Sequence, residues 1–372
     1  MNIEDKTYKK RVFLFIDGLI GGGAQRQFVY LAKGLKERGY IVRCFTMYTG
    51  DKWSFYDKFV RDNNIDWICD VRARNKMKRI YYLLKAIKSF DPDVIIAYGP
   101  LQTIYAAIGN LICKKRLILS DRNTTQRLTN YERLKFFFFR FSDFIVPNSY
   151  SQGNFISKHY PNLSPKIKVI TNLVDVERFK PSNDKPKNNT PRIICVSRLK
   201  AQKNVLGFLD AVFILKKKGV DVLFEWYGNN FEDDYARKVQ EKVLEYGISE
   251  MVLFYPACEN IEMKYQQSDG FCLPSFYEGF PNVLCEAMAS GLPVAASNVC
   301  DNPYIVSEGE NGYLFAPNDP NSIADALQRL VALSNDDRKE IGIRNRKRIL
   351  EKCAEKGFLD KYESLINNPR KK

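Results

Sequence analysis

Two carboxylates stand eight positions apart, Glu278 and Glu286, in the segment Pro274-Ser275-Phe276-Tyr277-Glu278-Gly279-Phe280-Pro281-Asn282-Val283-Leu284-Cys285-Glu286-Ala287-Met288-Ala289-Ser290-Gly291-Leu292-Pro293-Val294. An apolar run, Phe271 to Pro274, leads into it. Gly279 and Pro281 argue against one unbroken helix. Glu278 then belongs to a turn, and Glu286 to a helix that starts near Pro281 or Asn282 and ends before Gly291. The first-turn N–H groups of such a helix are orphan donors and attract anions. Two acids beside an anion site suit a ligand with hydroxyls at both ends and phosphate in the middle, the shape of a sugar nucleotide. Spacing alone leaves a plainer reading open: an exposed loop acid, and a helix acid paired with a nearby cation.

A second group is Val196-Ser197-Arg198-Leu199-Lys200-Ala201-Gln202-Lys203-Asn204. It follows a strand pattern and opens a helical one. Cations five apart at a strand end, Arg198 and Lys203, can clamp a diphosphate through charge-assisted hydrogen bonds. Lys200 is the nearest competitor, and solvated surface cations are the plain alternative. A third is Gly21-Gly22-Gly23, leading into Ala24-Gln25-Arg26. It is not the dinucleotide fingerprint, and no acidic residue stands out about 20 positions on. A glycine run allows close backbone approach to a ligand, or simply a flexible loop.

The elements that must position these residues alternate along the chain. Strand patterns are expected at Arg11–Asp17, Tyr40–Thr46, Asp66–Asp70, Asp93–Tyr98, Arg116–Ser120, Asp143–Val146 and Ile167–Ile170, with helices between them. Pro181 to Thr190 is polar and rich in Pro, Asn and Lys, which reads as a linker. The alternation resumes with strands at Arg192–Val196, Leu223–Tyr227, Val252–Tyr255, Gly270–Leu273 and Val294–Ala296, and helices at Val205–Lys217, Asp234–Leu244 and Ser322–Leu333. A last helical stretch runs from about Asp336 to Ile366. This order predicts an α/β protein with two parallel-sheet domains. The expected division is 1–180, a linker at 181–190, a second domain at 191–350, and a C-terminal helix at 351–372 able to pack back on the first domain. Ligands of open parallel sheets bind beyond the strand C-termini, so a cleft between the two domains is expected to hold the site.

The net charge of +15 is uneven. Residues 1–180 hold 32 Lys and Arg against 16 Asp and Glu, whereas the remainder is close to neutral. Such asymmetry points to a partner for one half only. Residues 72–88 can form a helix with one apolar and one basic face, and Leu134-Lys135-Phe136-Phe137-Phe138-Phe139-Arg140 sets aromatics among cations. Core packing with a solvated basic side is one reading, and attachment to anionic lipid is the sharper one. Nine cysteines are scattered with no metal-ligand spacing, as expected of reduced thiols in a cytoplasm. No stretch reaches the roughly 18 apolar residues of a membrane span. The N-terminal apolar stretch, interrupted by Asp17, reads as a first strand rather than a secretory signal.

The segment from Ser275 to Val294 resembles the signature of the family-4 retaining glycosyltransferases, which have the GT-B fold: a Ser, then Glu-Gly-Phe-Pro, seven residues between the two Glu, then Ala-Met-Ala-x-Gly-x-Pro-Val. Twelve positions match: Ser275, Glu278, Gly279, Phe280, Pro281, Glu286, Ala287, Met288, Ala289, Gly291, Pro293 and Val294. The resemblance implies two Rossmann-like domains with parallel sheets facing across a cleft. It implies that Glu278 contacts the donor-sugar hydroxyls, Glu286 the nucleotide ribose, and Arg198 and Lys203 the diphosphate. Gly279, Phe280, Asn282 and Val283 then line the donor, as do Gly228 of Trp226-Tyr227-Gly228 and Pro256 of Tyr255-Pro256-Ala257. The family often has Gly where Pro256 stands. Gly22 and Gly23 correspond to the family's glycine loop near the donor phosphate or acceptor. Ile170-Thr171-Asn172-Leu173-Val174-Asp175 and Asn311-Gly312-Tyr313-Leu314-Phe315 resemble two further family elements.

One departure concerns a His that many members direct at the sugar. This chain's only His is His159. The loop Ser120-Asp121-Arg122-Asn123 falls near that position, which makes Asp121 and Arg122 candidate contacts to donor or acceptor. A retaining front-face reaction can use the leaving phosphate as its base. No Asp-x-Asp pair flanks the nucleotide site, so no metal is expected to be required, and Arg198, Lys203 and the helix dipole would carry the electrostatic work. No cofactor other than a nucleotide-sugar co-substrate is expected.

The resulting expectation is a cytoplasmic enzyme, peripheral on the inner face of the membrane. It would move a hexose or N-acetylhexosamine from a nucleotide sugar, a UDP-sugar first, to a glycan acceptor that is lipid-linked or membrane-associated, as in polysaccharide or lipopolysaccharide synthesis. The alternatives are a GT-B sugar-nucleotide epimerase or phosphorylase, and a nucleic-acid-binding protein. The last has only charge and aromatics behind it and no recognition motif.

Overall fold

Runs such as Arg-Val-Phe-Leu-Phe-Ile at residues 11–16 are apolar at successive positions, not alternate ones, and their side chains are buried on both faces. That pattern belongs to strands covered by helices on either side. The computed structural model describes residues 10–48, 55–69, 75–182, 188–229 and 234–369. They form two compact units, one of residues 1–172 with 355–372 and one of residues 173–354.

In the first unit six parallel strands, β1 (Arg11–Ile16), β2 (Ile41–Thr46), β3 (Asp66–Cys69), β4 (Val94–Tyr98), β5 (Arg116–Asp121) and β6 (Phe144–Pro147), lie in the order β3-β2-β1-β4-β5-β6. The crossovers carry α1 (Gly23–Glu37), α2 (Asp57–Asp62), α3 (Lys76–Phe90), α4 (Pro100–Cys113) and α5 (Asn130–Phe139), and α6 (Tyr150–His159) follows β6. Phe13, Phe15, Ile95, Leu117 and Phe136 lie in one of its apolar clusters.

The second unit repeats the plan. Strands β7 (Arg192–Val196), β8 (Leu223–Asn229), β9 (Val252–Pro256), β10 (Gly270–Leu273), β11 (Val294–Ser297) and β12 (Gly312–Phe315) lie in the order β12-β11-β10-β7-β8-β9. The helices are α7 (Val205–Lys217), α8 (Asp234–Glu245), α9 (Ile261–Gln267), α10 (Asn282–Ala289), α11 (Asn302–Ile305), α12 (Pro320–Val331) and α13 (Asn335–Cys353). In each sheet the strand order reverses once, between β1 and β4 and between β7 and β10. There the loops leaving the two strands diverge to opposite faces and open a crevice.

Four expectations are revised. The boundary between units falls at Asn172/Leu173, ahead of the 181–190 segment. Val174 and Phe179 already belong to a core cluster of the second unit, and Arg346 donates to Phe179 O at 3.0 Å. Of that segment, residues 183–187 lie outside the described residues, as do 72–74 of the basic stretch. Ile167–Ile170 is not a strand. Lys168 N–H donates to Ile145 O and Ile170 N–H to Pro147 O, but Pro147 has no N–H to return and the ladder stops. Gly312–Phe315 is a strand that was not among those expected from the sequence; pairing with β11 supplies its burial.

The long C-terminal helix breaks at Ala354, whose backbone is extended. Ala is the best helix former, so tertiary contacts decide the break. Before it, Val174 N–H donates to Cys353 O; after it, α14 (Glu355–Asn367) joins the first unit. Arg116 donates to Leu365 O and Ile366 O, and Lys10 to Ile366 O, so cations satisfy the last carbonyls of α14. Arg38 pairs with Asp360 and Glu363.

The deepest tie is polar. The Arg122 guanidinium is buried and donates to Ser120 Oγ at 2.7 Å, Asn172 Oδ1 at 2.9 Å, Ile170 O at 3.3 Å, Tyr98 OH at 3.2 Å and the Tyr362 hydroxyl. Tyr98 OH also donates to Tyr362 OH at 2.8 Å, and burial pushes the Tyr98 phenol well above its ordinary range, so it stays a neutral donor. Replacing Tyr362 with Phe removes an acceptor from a buried cation. The expected loss is about 1–3 kcal/mol, read as a lower urea midpoint of the full chain with its helix content intact.

Candidate donor site

The strand reversal of the second sheet brings the two sequence constellations together. β7 and β10 are hydrogen-bonded neighbours. The loop after β7 carries Arg198 and Lys203; the loop after β10 carries Glu278. Lys203 Nζ donates to Glu278 Oε1 at 2.7 Å, with both side chains mostly buried.

Both loops are pinned. Gln202 Nε2 donates to Tyr277 O at 2.8 Å, and Phe276 N–H donates to Gln202 O at 2.9 Å. Asn204 takes a left-handed backbone, φ 53°, and its amide donates to Pro317 O at 2.7 Å, which turns the chain from the Ala201–Lys203 helical turn into α7. The Glu278 N–H donates to Cys300 Sγ at 3.5 Å, another left-handed residue at φ 50°. Burial pushes the Cys300 thiol up, partly offset by the N–H it accepts. Gln202 stood between the two cations in the sequence without a role, and nothing in the sequence marks Cys300.

Helix α10 opens at Asn282 behind Pro281, as the Pro and Gly pattern requires. Asn282 and Val283 form its half-buried first turn, and the Asn282 N–H donates to Phe280 O at 2.9 Å. Glu286 is buried one turn on, about 6 Å along the axis. The Phe280 ring is packed in the core, so only its main chain is available to a ligand. Ser275 is buried and its hydroxyl has no hydrogen-bond partner.

Gly228, next to last in β8, has φ 114°. A Cβ there would lie 2.7 Å from Ser197 O and 3.3 Å from Arg198 N. Only glycine permits this approach, which sets the backbone of Arg198. Trp226 Nε1 reinforces it by donating to Ser197 O at 2.8 Å. Arg198 itself is exposed. Pro256 is exposed at the end of β9, beside Tyr255, whose ring stacks on Tyr227 at 4.9 Å.

In the first unit Gly22 precedes α1 with φ −169°, a conformation open to any residue, and Gly23 is the first helical residue. The Asp121 and Arg122 side chains are directed inward. Both Asp121 oxygens lie 3.3 Å from the buried Lys135 Nζ, and Oδ2 accepts from Gln152 Nε2 at 2.8 Å. Arg122 is held by the five acceptors described above. Neither meets a ligand without giving up an internal partner, a consequence of packing after β5 that the loop sequence does not show. His159 is exposed on α6, with Nδ1 2.9 Å from Phe155 O. Among the described residues no three His, Cys, Asp or Glu side chains gather as metal ligands, and no helix is long and apolar enough to cross a membrane.

An ammonium stands beside a carboxylate at the strand-end crevice of a parallel sheet and next to a helix N-terminus, an arrangement whose chemistry suits a phosphorylated, hydroxyl-rich ligand. Residues 21–178 match Glycosyltransferase Family 4 and residues 176–348 match Glycosyl transferases group 1. The chain belongs to glycosyltransferase family 4 and has the GT-B fold. It is 24% identical over 336 residues to an uncharacterized glycosyltransferase of Haemophilus influenzae, covering 87% of this chain and 90% of the other. It is 25% identical over 331 residues to the UDP-Gal:alpha-D-GlcNAc-diphosphoundecaprenol alpha-1,3-galactosyltransferase of Escherichia coli, covering 83% and 84%. Its fold is similar to that of Anabaena Alr3699/HepE, solved in complex with UDP and glucose, with a TM-score of 0.83 at 17% identity over 97% of this chain and 100% of that one. The protein is a glycosyltransferase of glycan biosynthesis.

Gly228→Ala is expected to lower the melting temperature by several degrees and to weaken UDP binding, since the clash falls on backbone that carries Arg198. Gly22→Ala, whose Cβ would meet only the flexible end of Gln25, is expected to keep the wild-type melting temperature. Differential scanning fluorimetry with and without UDP checks both.

Proposed function

We propose that this chain is a retaining hexosyltransferase. It takes a hexose or N-acetylhexosamine from a nucleotide sugar, with uridine as the base, and places it on a lipid-linked or membrane-associated glycan. The observation that carries this reading is the Lys203–Glu278 pair. An ammonium that suits a diphosphate and a carboxylate that suits sugar hydroxyls stand 2.7 Å apart, as do adjoining groups of one ligand.

In this reading Lys203 and Arg198 neutralise the diphosphate as the glycosidic bond breaks, which lowers the barrier because charge grows on the leaving group. Glu278 accepts hydrogen bonds from the sugar hydroxyls and orients the ring. Glu286 holds the ribose. The main chain of Gly279, Phe280, Asn282 and Val283, at the start of α10, meets the phosphates and sugar. Gly228 and Pro256 border the nucleotide, and Gly22 and Gly23, at the start of α1, border the donor phosphate or acceptor. The leaving phosphate serves as base, and the reaction needs no metal. The Escherichia coli relative, named for a UDP-linked donor and a diphosphoundecaprenol acceptor, supports the donor and acceptor classes. The UDP and glucose bound to the Anabaena protein support the base. An acceptor of this kind goes with an enzyme at the inner face of the membrane. An epimerase or phosphorylase of the same fold is the second reading, favoured only by the shared donor chemistry.

The test separates the two charges. Lys203→Ala is expected to weaken UDP binding at least tenfold by titration calorimetry, the loss of a charge-assisted contact to phosphate. Glu278→Ala is expected to leave UDP binding within about threefold while cutting transfer or hydrolysis of a labelled UDP-sugar by at least 100-fold. Equal losses of UDP affinity in both variants would contradict the divided roles. Absence of any nucleotide binding by the wild type would remove the donor site altogether.

A further inference from the structure

Helix α5 is apolar on two sides. Lys135, Phe136 and Phe139 face the core and are buried. On the other side Tyr131, Leu134, Phe137 and, just past the helix end, Phe141 are 42%, 48%, 46% and 37% exposed. Steps of three, three and four residues keep these four within about 120° of arc, at 100° per residue. A helix that is apolar all round belongs where both sides are covered. Here the sheet covers one side, and water meets the other.

The stripe has cations along its flank. Arg133 and Arg140 stand seven positions apart beside it, with the Arg140 guanidinium 4.5 Å from the centre of the Phe137 ring. Together they border a hollow of about 280 Å³, lined also by Phe136, Tyr160 and Leu163. The surroundings carry the same signature. Helices α3, α4 and α5 form one layer, and together they hold seven Lys or Arg against one acid, Glu132, which is paired with the buried Lys135. Met77 and Tyr81 on α3, and Leu111 and Ile112 on α4, are exposed in the same layer. Among the described residues of the first unit, eight of the eleven exposed large apolar side chains fall on these helices and the end of α5.

We propose that α5 is the membrane-docking element of this enzyme. The Tyr131–Phe141 stripe would enter the headgroup region of an anionic bilayer, Arg133 and Arg140 would take lipid phosphates, and the lysines of α3 would add attraction at longer range. A bilayer fits better than a protein groove because the face is a broad helix layer, almost free of acid, with aromatics that tolerate the headgroup zone. The inference deepens the reading of a membrane-associated acceptor. It rests on the first unit alone, so it stands or falls separately from the donor chemistry.

The full chain is mixed with sedimenting vesicles of phosphatidylcholine alone, or with one third phosphatidylglycerol, at low and physiological salt. The wild type is expected to bind the anionic vesicles at least tenfold better, and less well at higher salt. Leu134→Glu with Phe137→Glu is expected to reduce that binding at least tenfold. Arg133→Glu with Arg140→Glu is expected to abolish the preference for phosphatidylglycerol. Both double variants should keep the wild-type UDP affinity, because α5 is outside the donor unit, and that affinity also reports that the chain is folded. Leu244→Glu, at an exposed apolar position of the second unit, is expected to bind as the wild type does. The proposal is overturned if the wild type ignores anionic vesicles, if the α5 variants bind them unchanged, or if Leu244→Glu is equally impaired. It is also overturned if the wild type self-associates without lipid and the α5 variants abolish only that association.

Discussion

Parallel pairing of β7 with β10 governs the arrangement of the candidate donor site. A parallel sheet sends all its strand C-termini to one edge, and at a reversal of strand order the loops from two neighbouring strands leave in opposite directions. Residues 75 positions apart in sequence, Lys203 and Glu278, thus become an ion pair. Gln202, Asn204 and Cys300 add no charge. Gln202 locks the two loops against each other, Asn204 ties the first loop to Pro317 O after β12, and Cys300, after β11, accepts from the Glu278 N–H, so the ammonium and the carboxylate are held in place by the protein itself. Gly228 belongs to the same device, because its lack of a Cβ lets the end of β8 rest on the backbone that carries Arg198.

The first unit uses the same sheet order for a different purpose at its corresponding edge. Beyond β5 the charged residues turn inward. Asp121 neutralises a buried lysine, and Arg122 gathers five acceptors, among them a tyrosine from the last helix of the chain. A buried guanidinium is stable only when all its donors are met. The chain brings Tyr362 back to the first unit after completing the second, crossing at residues 172/173 and 354/355. The outer side of the same unit does the reverse and leaves aromatic and basic side chains in water along α5.

Much of the fold was legible because it rests on local patterns. Eleven of the twelve strands were visible as short apolar runs between turn residues, and the start of α10 was marked by Pro281 and its end by Gly291. The misses have specific causes. β12 is four residues long and owes its burial to a neighbour. Ile167–Ile170 has strand composition, but it faces a proline that cannot return a hydrogen bond. The break at Ala354 goes against propensity and is set by contacts on either side of it. The polar 181–190 segment had the composition of a linker, but the hydrophobic residues before it, Val174 and Phe179, had already joined the second core.

The sequence by itself determined the two-sheet α/β plan, the candidates for the donor site and the uneven charge of the two halves. These depend on residue type, short spacing and periodicity, which are properties of the chain before it folds. Tertiary structure alone decided which charges meet. Arg198, Lys203, Asp121 and Arg122 all look alike as charged residues after strands, yet Lys203 faces a carboxylate at the crevice while Arg122 is sealed in the core. The difference lies in partners far away in sequence, Glu278 in one case and Tyr362 in the other, and no local pattern encodes a contact across 75 or 240 positions.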